Sequence, residues 1–460
     1  MGTFAMDGRM KKTADSGFNS LFGKRRGMMS RDAEDVMIDD WTDRSFWLDS
    51  LECPMETGGE PPKKTDVLIV GSGYTGLNAA IETARGGRKT LVLDAEHPGY
   101  GCSTRNGGQI STSVKPSMSQ LTARHGEARA RAIRDTGKDA LSWIKTLIKS
   151  EGIDCDLRNS GRFHAAHTPR HYEELLRHAK TLADEDNIES IEICANEQHR
   201  ELGTDFYHGG LVFPEHAAVD PARYHRGLLE VATGAGAAVV GKCRVLGIEK
   251  SGGGFVALTE KGNVQTRDVV IATNGYTGTS AKWLRRRIVP IGSYIIATEP
   301  MPRELVERLF PTDRIASDTR KVVYYYRTSP DRRRILFGGR VSANETDTAL
   351  SGPLLHREMC RIFPEVAKYR ISHSWMGTVA YTFDELAHTG MHEGIYHCMG
   401  YCGSGVSMAS YLGMRTGQKV LGLKEGKTAF DGLPFPTRPF YTGKPWFLPP
   451  VVAWYKWLDR

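Results

Sequence analysis

Residues 66–70, Asp-Val-Leu-Ile-Val, form a continuous apolar run between polar flanks, the pattern of a parallel strand buried on both faces. A Gly/Pro/Lys-rich stretch at 58–64 precedes it and marks a domain entry. Leu77, Ala80, Ile81 and Ala84 then recur at helical spacing until Gly86-Gly87 ends the pattern, and 90–94 reads as a second strand. Residues 66–94 thus make one β-α-β unit. Helical faces follow at 127–150 (Ile133, Ala140, Leu141, Ile144, Ile148), after Pro169 (Tyr172, Leu175, Leu176, Ala179, Leu182) and after Asp220-Pro221 (Tyr224, Leu228, Ala232). Strand-rich stretches are predicted at 237–272, 288–298, 321–327 and 335–340, with a turn at Ser329-Pro330-Asp331. The opening residues, 1–44, are polar and lack periodicity, as a mobile extension would.

At 460 residues, 40% hydrophobic and 25% charged, the chain is long enough for two domains or one large discontinuous unit. The net charge of +7 includes basic triplets at 24–26, 285–287 and 332–334, which are far apart and lack aromatic platforms. They argue against nucleic-acid binding and fit a mild attraction for anionic substrates. Eight cysteines contain no C-x-x-C pair, so neither a metal site nor a disulfide framework is expected, and reduced thiols fit a cytoplasmic protein. No signal peptide and no 18-residue apolar segment is present, so no membrane span is expected. The tail 446–460 carries Trp446, Phe447, Trp454, Tyr455 and Trp457; docking onto the protein is favoured over a membrane-surface anchor because Pro449-Pro450 breaks the run.

Four segments carry candidate chemistry. The first is Gly71-Ser72-Gly73-Tyr74-Thr75-Gly76, between the first strand and helix, with Asp94 at the end of the second strand. Gly71 permits the tight turn, Gly73 lets backbone approach a pyrophosphate, and Gly76 lets helix and strand pack closely. The helix N-terminus adds partial positive charge, and Asp94 is placed to accept from ribose hydroxyls. This fingerprint does not separate FAD from NAD. The second is Ser103-Thr104-Arg105-Asn106-Gly107-Gly108-Gln109, whose small residues leave room for a planar ring. The third, 269–276, is an apolar strand ending in Thr273-Asn274-Gly275. The fourth, Gly400-Tyr401-Cys402-Gly403-Ser404-Gly405, opens a helix with Val406, Ala409, Gly413, Thr416 and Val420 on one face, an anion site suited to reduced flavin. A nicotinamide-dependent dehydrogenase would leave Asn106-Gly107-Gly108 and Gly403-x-Gly405 without a role.

These segments, in this order, together with Tyr324-Tyr325-Tyr326-Arg327 and Leu336-Phe337-Gly338-Gly339-Arg340, resemble the D-amino-acid oxidase-like FAD-dependent oxidoreductases, and within them the gamma-glutamylputrescine oxidase branch, relatives of glycine and sarcosine oxidases. The likeness spans about residues 45 to 450. It implies an α/β plus α+β fold: a discontinuous Rossmann-type FAD domain (45–150, 220–287, 381–445) interleaved with a β-sheet substrate domain (151–219, 288–380). It also places Ala95, Val245, Gly339 and Val406 against the cofactor. The implied reaction is hydride transfer from the carbon beside an amine to flavin N5, giving an imine that water hydrolyses, with electrons passed to oxygen. A dehydrogenase of the same fold using a quinone or carrier, and a non-catalytic flavin-binding protein, remain alternatives. Cysteine and histidine attachment points of relatives are occupied by Val379 and Arg105, which implies non-covalent FAD. The carboxylate-binding lysine of sarcosine oxidases is replaced by Ser407, and a frequent histidine by Ser404.

On the substrate side, alternation groups Tyr324 with Tyr326 on one strand face and Tyr325 with Arg327 on the other. Tyr324, Tyr326, Arg340, His373 and Tyr381 are the candidates for contact with an amine or amino acid, with His164 and His167 as possible pocket residues. The sequence does not give the oligomeric state.

Overall fold

The computed structural model describes residues 36–51, 57–112, 114–340 and 345–459. Its apolar run at Val67–Val70 is buried throughout because both neighbours are strands and both faces are covered. It pairs in parallel with Thr90–Leu93 on one side and Asp268–Ile271 on the other. Ala238–Val240 extends this sheet beyond Thr90–Leu93, while Ile395–Met399 and then His388–His392 extend it past Asp268–Ile271. The sheet is therefore assembled from three stretches of chain far apart in sequence. An antiparallel meander (Val245–Ser251, Gly254–Thr259, Gly262–Thr266) leads into Asp268–Ile271.

Helices Tyr74–Arg85 and Gly405–Val420 lie against each other on this sheet. Their contact is set by glycines: a Cβ on Gly413 would stand 2.5 Å from the Thr75 carbonyl oxygen, and one on Gly417 2.8 Å from that of Ala79. Helix Pro221–Gly234 packs beside them; the Asp220 carboxylate accepts from the Ala222 and Arg223 N–H groups, and the proline lies in its first turn.

The second sheet orders its strands as Met37–Thr42, Ile371–Thr382, Ile288–Thr298, Ile335–Gly339, Tyr325–Thr328, Ile315–Asp318, Arg162–Ala165, Gly210–Phe213 and Ile191–Ile193. Period-two alternation gives it two faces. Phe163, Tyr294, Ile296, Tyr326 and Phe337 enter one apolar core with residues of helices Arg303–Leu309 and Thr348–Ile362. Ile295, Leu336 and Trp375 pack with Trp47 on the opposite face, which looks toward the first sheet.

Several expectations are corrected. Residues 37–42 belong to no mobile extension; they pair in parallel with Ile371–Thr382, and the rest of that extension, 1–35, lies outside the described residues. The strand expected at 321–327 begins only at Tyr325, because the Lys321 and Val322 N–H groups donate to the Asp459 carboxylate and that of Tyr324 donates to Asp318. The boundary at 380/381 falls inside the strand Ile371–Thr382. Pro449-Pro450 do not break the tail: they occupy the first turn of a helix, Leu448–Leu458, where missing N–H groups cost nothing. Leu448 docks against Val289 and Tyr441, while Trp446, Trp454 and Trp457 are exposed.

Gly413→Val forces the two glycine-contacting helices apart. We expect a loss of about 2–3 kcal/mol, the scale of core overpacking, read by thermal melting of the purified protein.

Candidate active site

The turn 71–76 lies at the C-terminal edge of the parallel sheet, where ligands of open α/β sheets bind. Gly71 has φ +104°, and a Cβ there would lie 2.9 Å from the Ala272 carbonyl oxygen. A Cβ on Gly76 would collide with the Gly71 carbonyl. Gly73 is the N-cap of helix Tyr74–Arg85, with Ser103 Oγ 3.0 Å from the position of its absent Cβ. The Asp94 carboxylate is already engaged: Oδ2 accepts from Ser72 N–H (2.9 Å) and Ser72 Oγ (2.6 Å), and Oδ1 from Glu96 N–H (3.1 Å). Oδ1 retains a lone pair for a hydroxyl, so the expected ribose contact narrows to one oxygen. Ala95 follows it, half-buried. Val245, in contrast, turns into the apolar core with Leu68 and Val269.

The 101–109 loop crosses between the two sheets. Ser103 Oγ accepts from Tyr74 N–H, and Thr104 Oγ donates to the Gly99 carbonyl. The Asn106 amide donates to the carbonyls of Cys102 and Ser103, and its oxygen accepts from Gly108 N–H (2.7 Å). Arg105 is turned away, its guanidinium over the Tyr100 ring and bonded to the Tyr100 carbonyl. Gly108 has φ +70°, and a Cβ there would collide with the Val219 carbonyl. Gln109 Nε2 is buried without a hydrogen-bond partner. A tight glycine cradle ending in an unspent amide donor fits a planar polar ring such as a flavin.

The fourth segment converges on the same place. Gly400 (φ +81°), Cys402 (φ +52°) and Gly403 (φ +98°) carry the chain into helix Gly405–Val420, and Ser404 is its N-cap. Asn274 Oδ1 accepts from Gly400 N–H, linking the third segment to the fourth, while the Thr273 hydroxyl bonds Thr277 and Gly275 lies against the Thr378 carbonyl. The Tyr401 hydroxyl bonds that of Thr75 at 2.6 Å, so the two helix N-termini are tied together. Val406 is buried beside them.

The substrate-side candidates divide. Tyr325, not its neighbours, faces the loop: its ring lies 3.0 Å from where a Gly107 Cβ would stand and also covers Gly338, and its hydroxyl bonds Ser293 Oγ at 2.7 Å. Tyr324 and Tyr326 belong to the far core; the Tyr326 hydroxyl donates to Tyr207, and Gly339 lies against the Tyr324 ring on that far face rather than against the loop. His373 bonds Asp49 (2.8 Å) and Ser372, anchoring the segment Phe46–Ser50. Arg340 is ion-paired to Glu345 and donates to the Gly292 carbonyl. Tyr381 does reach the site: its hydroxyl lies 3.6 Å from where a Gly403 Cβ would stand, with the Lys115 ammonium over its ring.

Ser45, Trp47 and His225, none singled out from sequence, hold this site together with Trp375 and Arg327, which the sequence placed without assigning them such a role. Ser45 Oγ, Trp47 Nε1 and Trp375 Nε1 donate to the carbonyls of Thr104, Asn106 and Arg105 at 2.8, 2.8 and 3.0 Å. The buried Arg327 guanidinium lies over Trp47 and donates to the Val219 carbonyl (2.8 Å), whose residue in turn bonds Gly108. The ring of His225 bonds the Ser72 carbonyl at 2.7 Å, and burial lowers its pKa to about 4. No local pattern reveals these bonds, because each is made to backbone far away in sequence.

The sequence profile of the family described as DAO, FAD dependent oxidoreductase, matches residues 66–418. The chain is 27% identical over 430 residues to a protein of Haemophilus influenzae named probable oxidoreductase OrdL, covering 91% of this chain and 97% of that one. It is 29% identical over 400 residues to the gamma-glutamylputrescine oxidoreductase of Escherichia coli, covering 86% and 93%. Glycine oxidase from Geobacillus kaustophilus has the same fold, with a TM-score of 0.68 at 18% identity over 82% of this chain and 99% of that one.

Two outcomes follow from this geometry. Gly108→Ala places a methyl group against the Val219 carbonyl at a strained φ; the variant is expected to purify with less than about a tenth of the wild-type flavin, since the close approach costs more than the ~1.4 kcal/mol that a tenfold change represents. Acid should also destabilise the protein. His225 stays neutral in the fold down to about pH 4, while an unfolded histidine takes a proton near its ordinary value of about 6.5. The unfolded state therefore binds more protons between these limits, and stability falls with pH by up to about 1.4 kcal/mol per unit for this residue. Chemical denaturation at pH 7.5, 6 and 5 measures the slope, and His225→Gln should reduce it.

Proposed function

The chain belongs to the DAO family of FAD-dependent oxidoreductases, and on that premise we propose that it oxidises the C–N bond of a gamma-glutamylated amine, releasing an imine that water hydrolyses and passing the electrons to oxygen. The observation that carries this reading is the meeting of Tyr325 with the Gly107 segment of the loop, which sets a half-buried hydroxyl pair, Tyr325 and Ser293, above the floor where a planar ring fits. The substrate class is drawn from the gamma-glutamylputrescine oxidoreductase relative.

FAD, when bound, supplies the two-electron acceptor. In our reading the turn Gly71–Gly76 would hold its phosphates and Asp94 and Ala95 its ribose. Residues 103–109, 273–275 and 400–406 bound one space and would hold its ring, without a covalent bond. Helix Gly405–Val420 directs its N-terminal N–H groups at that space, favouring negative charge there. No strong acid or base is required at the reacting carbon. The protein's tasks are to hold a neutral amine and to exclude water. Burial raises the Tyr325 phenol above its ordinary value, so it stays protonated through the working pH range and orients the amine by hydrogen bonding. Tyr381, beside Gly403 and beneath Lys115, closes the other side.

Anaerobic addition of gamma-glutamylputrescine should bleach the bound flavin, and air should restore it with peroxide release; flavin that no amine bleaches would overturn the reading. Tyr325→Phe is expected to lower kcat/KM about tenfold with flavin content unchanged, the scale of one hydrogen bond in a dry site. Tyr326→Phe should leave kcat/KM within about twofold while costing about 1 kcal/mol of stability through the unpaired Tyr207 hydroxyl. The rising limb of the kcat/KM–pH profile belongs to the substrate amine losing its proton, and should move with the amine's own pKa when a less basic substrate is used.

A further inference from the structure

The strand Arg162–Ala165 lies two strands away from Tyr325 in the same sheet. Ser317 pairs with both Tyr325 and His164, so these three stand in one row. Phe163 enters the far core, which leaves Arg162 and His164 on the face that Tyr325 presents to the loop.

Arg162, half-buried, is unlike the other arginines that turn inward. Arg134, Arg314 and Arg320 are paired with Asp186, Glu201 and Asp318, and Arg327 is bonded to a backbone carbonyl. Arg162 has its Nε buried with no hydrogen-bond partner, and no carboxylate within ion-pair distance among the described residues. Its guanidinium lies 5.1 Å over the Phe213 ring, which stacks on His216 with centroids 5.1 Å apart. Burial lowers the Arg162 pKa only to about 10, so the group is charged at neutral pH.

His216 repeats the anomaly. Thr112 N–H donates to its Nε2 at 3.4 Å, which puts the ring proton on Nδ1, and Nδ1 is buried without a partner. Thr112 lies three residues beyond Gln109, so the cluster adjoins the segment that borders the flavin space. Among the described residues neither donor has a hydrogen-bond partner, and two unspent donors beside a formal positive charge suit an anion. A half-buried guanidinium with an unpartnered buried Nε carries a desolvation cost, and a carboxylate with two oxygens to offer the guanidinium fork offsets it.

We propose that Arg162, with His216 and His164 beside it, forms a subsite for a carboxylate carried by the substrate at the end remote from the oxidised C–N bond. The proposal rests on the amine-oxidising reading above and names the recognition element of that same site. Two strand spacings of about 4.8 Å and two residues of about 3.3 Å along the strand put Arg162 on the order of 12 Å from Tyr325. In gamma-glutamylputrescine the α-carboxylate is nine bonds from the terminal amine carbon, roughly 11 Å in extended form at about 3.6 Å per three bonds. The carboxylate is not held beside the flavin by Ser407, whose hydroxyl donates to the Ser111 carbonyl. The charge that recognises the substrate stands one substrate length away.

The test uses FAD-loaded enzyme, wild type, Arg162→Met and Arg162→Lys, with two substrates: gamma-glutamylputrescine and N-acetylputrescine, which keeps the amine and lacks the carboxylate. Arg162→Met should lower kcat/KM for the first about 10- to 100-fold, chiefly through KM, and leave the second within about twofold, with Arg162→Lys recovering part of the loss. In parallel, glutamate is titrated into each oxidised enzyme and the perturbation of the flavin spectrum read. Its Kd should weaken at least about tenfold in Arg162→Met. This second readout needs no turnover, so an enzyme that oxidises neither amine yet loses glutamate binding with Arg162 would overturn the substrate reading and keep the subsite. Equal losses on both substrates, or an unchanged Kd and an unchanged substrate ratio, or a wild type indifferent to the carboxylate in both measurements, would overturn the subsite.

Discussion

Three side-chain donors from remote parts of the chain, Ser45, Trp47 and Trp375, satisfy three successive carbonyls of the 101–109 loop. Buried backbone oxygens need partners, and a loop rich in small residues between two sheets has no ladder of its own to supply them. These bonds fix the loop's height above the parallel sheet and its distance below the second one. The dinucleotide turn, the loop and the Gly403 turn can serve one ligand only because that spacing is set.

Steric allowance does the complementary work. Gly71, Gly76, Gly108, Gly413 and Gly417 each occupy a place where a single methyl group would press on backbone oxygen. The helices Tyr74–Arg85 and Gly405–Val420 come close enough to bring both N-termini to one region, joined by the Thr75–Tyr401 hydroxyl pair. Two helix ends aimed at one space concentrate partial positive charge there. The second sheet supplies the opposite wall with hydroxyls and aromatic rings, and farther out the Arg162 guanidinium, which has no carboxylate partner among the described residues. The division suits an enzyme whose cofactor carries the redox chemistry and whose protein positions an amine.

The sequence by itself determined the first β-α-β unit, the four glycine-bearing segments and the helices capped by Asp220 and led by Pro169 and Pro221, because each rests on a contact between near neighbours in the chain: a cap, a turn, a helical stripe. It also separated the faces of the strand at 324–327 correctly, pairing Tyr325 with Arg327. Tertiary structure alone decided which face meets the loop, since alternation gives two faces and only the packing of Phe163, Tyr326 and Phe337 into the far core says which is buried there. It alone assigned His373 to Asp49 and Arg340 to Glu345, returned 37–42 to the sheet, and left Arg162 without an acid. Those outcomes depend on partners dozens to hundreds of residues away, and a chain's local pattern carries no record of which distant group its side chains will meet.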